Sequence, residues 1–395
     1  MSHSKKRRNP ALPLVGILGS AALLLGCSPS SAPDSGGGGE AAAGEDVLGS
    51  DEDYSLEELI EAAQEEGPIV VADSTGRIKD AAEAFTEKYG IEAVGEKMKA
   101  YEQIEVLIRE SQAGNVKTDV SFVADVPTVV AELLPTGVAT TWFPPDMAED
   151  VDEGYQDPAV NALDPNVWTY NGDVYDSCPI SNLWEVTEEE WHGKVSLQDP
   201  ELKTAVTYMF NEMAANDELM HEAYEDLYGE ELVTEEETAT AEWVKRLAEN
   251  DPLVTKSSSD ATAPIGAPGL DDPFVGLIAS AKYRQNESEG YHLTVCEGLE
   301  PWVGHVYGKA PVIATGTSNP NAAKLFVHFL YTEEGMASQT ADGKVSTNNT
   351  VPIDPTDPSD VESVWDDLLF EDSNHSDSDY EMTQDWQDFW VGYAR

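Results

Sequence analysis

Between residues 69 and 134 the apolar positions change period again and again. Ile69-Val70-Val71-Ala72 is a short continuous apolar run of the kind a buried strand needs, and it passes directly into Asp73-Ser74-Thr75-Gly76. Ile78, Ala81, Ala82, Phe85 and Tyr89 then recur at helical steps, which predicts a helix with one apolar face, closed by Gly90. The couplet repeats with a strand at Ile91 to Val94 and a helix carrying Ile104, Leu107 and Ile108 before Gly114. It repeats again with a strand at Asp119 to Val123 and a helix carrying Val126, Val129, Val130, Leu133 and Leu134. Such alternation predicts a parallel, doubly wound α/β lobe whose ligand crevice is lined by loops at the carboxyl ends of the strands. Just upstream, Ser55-Leu56-Glu57-Glu58 reads as a capping box that opens a short helix ending at Gly67.

The middle of the chain has another texture. Helical periodicity covers Ala205 to Tyr228 and Thr234 to Asn250, the second with Thr234 and Glu237 as a capping box and Trp243, Val244 and Leu247 facing inward. Ser257 to Gly269 is rich in Ser, Ala, Pro and Gly and reads as a loop, after which Phe274 to Ala279 and Tyr291 to Val295 have strand patterns. Asn319-Pro320-Asn321 starts a helix that buries Ala323, Phe326, Val327 and Leu330, and Thr332 to Gly343 continues the helical region. An acidic loop from Pro352 to Asp360 precedes a terminal helix around Gln384 to Trp390.

The start of the chain departs from all of this. Lys5-Lys6-Arg7-Arg8 leads into an apolar segment from Ala11 to Leu25 that is too short for a permanent span, and Leu24-Leu25-Gly26-Cys27 follows as a lipobox. Residues 1–26 are therefore expected to be a lipoprotein signal peptide, with Cys27 acylated and holding the protein on the outer face of a membrane. Arg7-Arg8 lacks the Phe-Leu pair that a twin-arginine signal would add. Residues 27–54, with Gly36-Gly37-Gly38-Gly39 in their midst, cannot bury enough apolar surface to fold and serve as a flexible tether.

Charge narrows the partners. With 76 Asp and Glu against 22 Lys and Arg, the formal net charge is −54, which excludes nucleic acid and a basic patch for anionic lipid. A solvated acidic surface explains such a balance, and so does a field that draws in a cationic ligand. With Cys27 lipidated, Cys178 and Cys296 remain, and an isolated pair outside the cytoplasm is expected to form a disulfide. No G-x-S-x-G, H-E-x-x-H, C-x-x-C or phosphate-cradling Gly-Lys-Thr/Ser loop occurs, so no catalytic residue, enzyme activity or cofactor is assigned. Asp73-Ser74-Thr75-Gly76 offers hydroxyls and backbone N–H groups at a helix start, either to an anionic or hydroxylated ligand or simply as a cap. Asp125, at the end of a strand in the same crevice, is either a cation ligand or the cap of the Val126 helix.

Four segments carry a family resemblance. They are Ile69 to Gly90 with Ala84-Phe85 and Tyr89-Gly90-Ile91; Lys117-Thr118-Asp119-Val120 through Ala124-Asp125; Trp191-His192-Gly193-Lys194-Val195 with Asp199-Pro200; and Pro320 to Leu330 with Glu333-Glu334-Gly335. In this order, behind a lipobox, they resemble the bacterial ABC-transporter substrate-binding lipoproteins of the type II periplasmic-binding-protein fold, in the branch of ferric-iron and polyamine receptors. The resemblance implies an α/β architecture of two doubly wound lobes joined by a two-crossover hinge. The first lobe would comprise residues 55–168 with a return at 301–395, and the second residues 169–300. Cys178 and Cys296 would then lie near the crossings. Tyr170 and Asn171 at the first crossing resemble cleft positions, and Trp302 and Tyr307 after the second are candidate aromatic walls.

The expected function is that of a monomeric, lipid-anchored receptor that captures a small-molecule or metal-ion solute and delivers it to an ABC permease. Ferric iron or its chelate and polyamine-like cations come first as solutes, and organic anions remain open. The adjacent tyrosine pair frequent in the second lobe of iron receptors is missing, so metal ligands are left unassigned. An extracellular lipoprotein enzyme and a cell-surface interaction protein on the same fold are the competing readings.

Overall fold

The glycines that close the first helical runs do so with backbone angles that side chains resist: Gly90 at φ 73° and Gly114 at φ 59°. A computed structural model describes residues 54–394; the signal, the lipobox and residues 27–53 of the expected tether lie outside the described residues. In chain order the first elements are α1 (Leu56–Gln64), β1 (Ile69–Asp73), α2 (Ile78–Tyr89), β2 (Ala93–Lys97), α3 (Ala100–Ala113) and β3 (Val120–Val123). Next come α4 (Val126–Thr128), which runs on as one π-helical turn over Val129–Leu133, β4 (Ala139–Thr141) and β5 (Ala162–Asn171). The middle holds β6 (Val195–Gln198), α5 (Thr204–Ala215), α6 (Asp217–Tyr228), α7 (Ala239–Glu249), β7 (Leu253–Thr255), α8 (Ser258–Gly266), β8 (Val275–Ala279), α9 (Gln285–Ser288) and β9 (Leu293–Val295). The chain finishes with β10 (Gly304–Ala314), α10 (Pro320–Phe329), α11 (Glu333–Thr340), β11 (Val345–Ser346), β12 (Leu368–Phe370) and α12 (Ser376–Tyr393).

One continuous sheet runs in the order β2-β1-β3-β10-β5-β8-β6-β7, with β4 and β12 added to β10 and β9 and β11 added to β5. Its two ends are parallel, β2-β1-β3 on one side and β8-β6-β7 on the other. Between them β10 and β5 pair antiparallel with each other and with their outer neighbours. Two βαβ halves are thus joined through two long strands. Gly304 is required where these strands cross, because a Cβ there would lie 2.1 Å from the Asn166 carbonyl oxygen.

Each half has its own filling. In the first, Phe85, Tyr89, Phe122, Phe326 and Phe329 meet edge-on or tilted with centroids 5.0–6.1 Å apart, bringing α2, β3 and α10 together. In the second, Trp184, Trp243, Phe210, Met209 and Leu247 are buried around α5 and α7. The terminal helix α12 sets Trp386 edge-on and Trp390 stacked against Phe210 and also packs on α4, so it touches both halves. Among the described residues no helix is long and apolar enough to cross a membrane.

Several local expectations shift. The second strand starts at Ala93 rather than Ile91. Ala205 to Tyr228 is two helices, parted at Asn216. The second capping box moves: Thr238 caps α7, and the Thr234 hydroxyl instead donates to Glu242 at 2.8 Å. Ser257 to Gly269 is not all loop, because Ser257 accepts from the Asp260 amide and starts α8, which tolerates Pro264 in its interior. Within the Trp191 to Val195 segment of the resemblance only Val195 belongs to a strand, since Gly193 turns at φ 70°. The longest strand, β10, was not foreseen at all.

Cys178 and Cys296 form a disulfide, with Cα atoms 4.9 Å apart and a sequence separation of 118. It ties the loop after β5 to the end of β9. Replacing both cysteines with alanine should lower unfolding stability by about 2–5 kcal/mol without altering secondary structure; denaturant melts followed by circular dichroism would show the loss.

Candidate functional site

Strands β5 and β10 are buried along their whole length, yet polar side chains occupy alternate positions on both. Antiparallel register sets Tyr307 opposite Asp164, His305 opposite Asn166 and Lys309 opposite Ala162, so these polar residues share one face. On the other flank of β5, Val345 pairs with Leu163, and one step along that register brings Lys344 beside Asp164. Ala279 pairs with Asn166, and Lys282 follows in the turn after β8. The hinge strands therefore carry a polar floor.

Buried polar groups normally find partners, and part of this floor does. Lys309 Nζ donates to Asp73 Oδ1 at 2.5 Å, both side chains being fully buried, and Gln339 Oε1 lies 3.5 Å from the same ammonium. The remainder is unpartnered: Asp164 Oδ1, Asn166 Oδ1, Asp73 Oδ2, Gln339 Nε2 and both ring nitrogens of His305 make no hydrogen bond.

The two halves touch across this floor. Asp125 caps α4 by accepting from the Thr128 amide at 3.1 Å, and it also accepts from the Thr204 hydroxyl at 3.0 Å and the Tyr208 hydroxyl at 2.7 Å, both on α5. Tyr307 packs between Ala124 and Ala205, with Lys203 Nζ 4.4 Å from the centre of its ring. At the rim, buried Asp342 bridges Arg77 at 2.9 Å and Arg284 at 2.6 Å, one from each half.

Burial decides most of the titration. It pushes the Lys203 ammonium down despite Asp164 and Asp125, and it takes Lys282, with Arg284 beside it, down to about 8. It lowers His305 to about 3, with Lys203 adding to the effect, so the ring is neutral. Tyr307 is driven far up by burial and by Asp164, and Tyr208 by burial and Asp125. Burial alone would raise Asp342, but Arg77, Arg284 and Lys344 hold its carboxyl below the usual range.

Cations gather here against the trend of the chain. Lys282 feels Arg284, Lys344 and Lys97 as like charges. Lys344 is only 2 % exposed. Neither Lys282 nor Lys344 makes an ion pair or hydrogen bond among the described residues, although acidic residues outnumber basic ones 76 to 22.

The residues singled out from sequence separate into two groups. Asp73, Ser74, Thr75, Asp125 and Tyr307 come to this floor or its edge; Asp73 Oδ1 accepts from the Ser74 hydroxyl at 3.2 Å and from the Thr75 amide at 3.3 Å. Tyr170 and Asn171 lie further along β5, where Asn171 Nδ2 donates to the Ile265 carbonyl at 2.9 Å and its Oδ1 accepts from the Asp173 amide at 3.0 Å, closing a turn. Trp302 packs with Trp168, Leu183 and Trp243 in the interior of the second half. Sequence reasoning missed Asp164, Asn166, Lys203, Lys282, Lys309 and Lys344. The signal for the floor was present as the alternations D-x-N-x-W in β5 and H-x-Y-x-K in β10. Among the described residues no three His, Cys, Asp or Glu side chains converge on a point a metal could occupy. A separate cavity of about 570 Å³ opens beside β12, lined among others by Tyr155, Glu212, Glu371 and His375.

Known proteins share this fold. Residues 69–343 match the bacterial extracellular solute-binding protein family. No curated protein sequence matches. Among solved structures, iron-bound HitA from Pseudomonas aeruginosa is 15% identical with a TM-score of 0.63, covering 81% of this chain and 99% of its own. AfuA from Actinobacillus pleuropneumoniae, with fructose-6-phosphate bound, is 18% identical with a TM-score of 0.61 over 83% and 98%. The substrate-binding protein of an ABC transporter from Agrobacterium tumefaciens is 15% identical with a TM-score of 0.63 over 85% and 97%. The shared fold is the two-lobed type II periplasmic-binding-protein architecture, with β5 and β10 as its two crossovers. By the match over most of its length, the chain belongs to the bacterial extracellular solute-binding protein family, receptors that capture small solutes.

Proposed function

We propose that this receptor holds a small organic anion over the β5–β10 floor, between a first lobe of residues 55–168 with the return from 301 and a second lobe of residues 169–300, and delivers it to an ABC permease. Lipidation of Cys27 would keep it at the outer face of the membrane beside that permease. The carrying observation is the pair Lys282 and Lys344, buried or half-buried and bonded to no carboxylate in a chain of net charge −54; the acidic groups that act on them through charge are Asp164 and an Asp342 already bridged by Arg77 and Arg284. A desolvated ammonium is costly unless an anion compensates it, and here the solute supplies that anion. Closure follows from contacts that a bound anion makes to Lys344 of the first lobe and to Lys203 and Lys282 of the second.

The same chemistry orders the candidate solutes. HitA is described as iron-bound and AfuA as holding fructose-6-phosphate. A phosphorylated or carboxylated organic solute, or a ferric chelate of net negative charge, matches the lysines. A polyamine-like cation meets them as like charges.

Native mass spectrometry and isothermal titration calorimetry of the mature chain against sugar phosphates, di- and tricarboxylates, ferric citrate and spermidine test the reading, and binding of spermidine in preference to every anion would overturn it. Lys344→Met should weaken the bound anion roughly 10- to 100-fold with little change in the melting of the solute-free protein, because Lys344 makes no hydrogen bond or ion pair of its own and the arginines already hold Asp342. Affinity should also depend on pH. Lys282 is charged below about 8 and gives up its proton as pH rises through that value, so the anion is held fully below it and progressively less tightly above it. Lys282→Gln should flatten that part of the calorimetric pH profile.

A further inference from the structure

Asp164 sits in the middle of the floor, 7 % exposed, and Asn166 beside it is 5 % exposed. Each presents a side-chain oxygen, Oδ1 in both, that accepts no hydrogen bond. The donors around them leave Oδ1 unfilled: the Tyr307 hydroxyl is within hydrogen-bonding influence of the Asp164 carboxylate but not of Oδ1, and Lys203 and Lys282 act on it through charge without pairing to it. An ionised carboxylate can only accept, and burying one of its oxygens without a donor is costly. A simple anion cannot answer that need, because its own oxygens are acceptors too.

We propose that Asp164, assisted by Asn166, selects anions that also carry a hydrogen-bond donor, a hydroxyl or an ammonium group, close to their charged end. The inference rests on the anion reading above and adds a second recognition point to it. The anionic end of the solute engages Lys282 and Lys344, and its donor group reaches Asp164 Oδ1 on the neighbouring strand. Sites built to hydrogen-bond a substrate hydroxyl or amine reject the analogue lacking it far more strongly than apolar pockets reject a missing methylene, because the buried partner is left unsatisfied. Asp164 is thus a specificity determinant rather than a mere offset to the lysine charges.

Calorimetry with matched solutes separates these roles: malate against succinate, citrate against tricarballylate, and phosphoethanolamine against ethyl phosphate. The donor-bearing member of the pair that binds should bind at least about tenfold tighter to the native chain. Asp164→Ala should abolish that ratio by weakening the donor-bearing member alone, and Asp164→Asn, which is nearly isosteric, should retain a preference for hydroxyl while losing one for ammonium. Equal affinity for both members of every pair overturns the inference, and so does an equal loss for both members in Asp164→Ala, the outcome expected if the carboxylate only balances charge. If spermidine binds in preference to every anion of these pairs and of the wider panel, the anion reading itself fails and the selection role falls with it. Thermal unfolding of each variant confirms that the compared proteins are folded.

Discussion

The pairing of β5 with β10 is the constraint from which the remainder of the architecture follows. Both strands are buried from end to end, and six consecutive residue pairs from Gly304–Val167 to Lys309–Ala162 fix their register. That register determines which side chains share a face, since a slip of one residue would invert them all. Gly304 permits the close crossing, and β3 and β8 are then added on opposite sides, one leading into each half. The floor, the two parallel sheet ends and the point about which the halves can move all descend from this one pair of strands.

Much of the first half could be read directly from the chain because its signals are local. Ile69 to Leu134 alternates strand and helix at regular intervals, and Gly90 and Gly114 mark the helix ends. The disulfide was legible because only Cys178 and Cys296 remained to pair. By contrast β10 went unseen: Gly304, Gly308, Pro311, His305 and Lys309 all argue locally against a buried strand, and only partners on both sides stabilise it. Helix α8 was hidden by its Ser, Ala, Pro and Gly content, and what starts it is the single Ser257 cap. Trp302 was attractive as an aromatic near a crossing, but its ring fills the interior beside Trp168 and Trp243.

The site was harder to read than the fold for a related reason. Lys203 opens α5, Lys282 follows β8, Lys309 lies in β10 and Lys344 precedes β11, so no motif or spacing joins them. They become neighbours only once the strands cross. Asp125 shows the opposite case, in which two readings that looked exclusive are both realised: one carboxylate caps α4 and accepts two hydroxyls from α5. Its position between the halves lets a helix cap double as a fastening across the crevice.

The contrast between a strongly acidic chain and lysines held inside it also affects how a solute arrives. At a net charge of −54 the outer field opposes an incoming anion, whereas the last few ångströms over Lys282 and Lys344 favour it. Dissolved salt shortens the reach of the outer field to about 8 Å at physiological ionic strength and to about 3 Å at 1 M, but it hardly touches charges already removed from water. Capture of the anion proposed above would therefore quicken as the medium becomes saltier, the reverse of ordinary electrostatic steering.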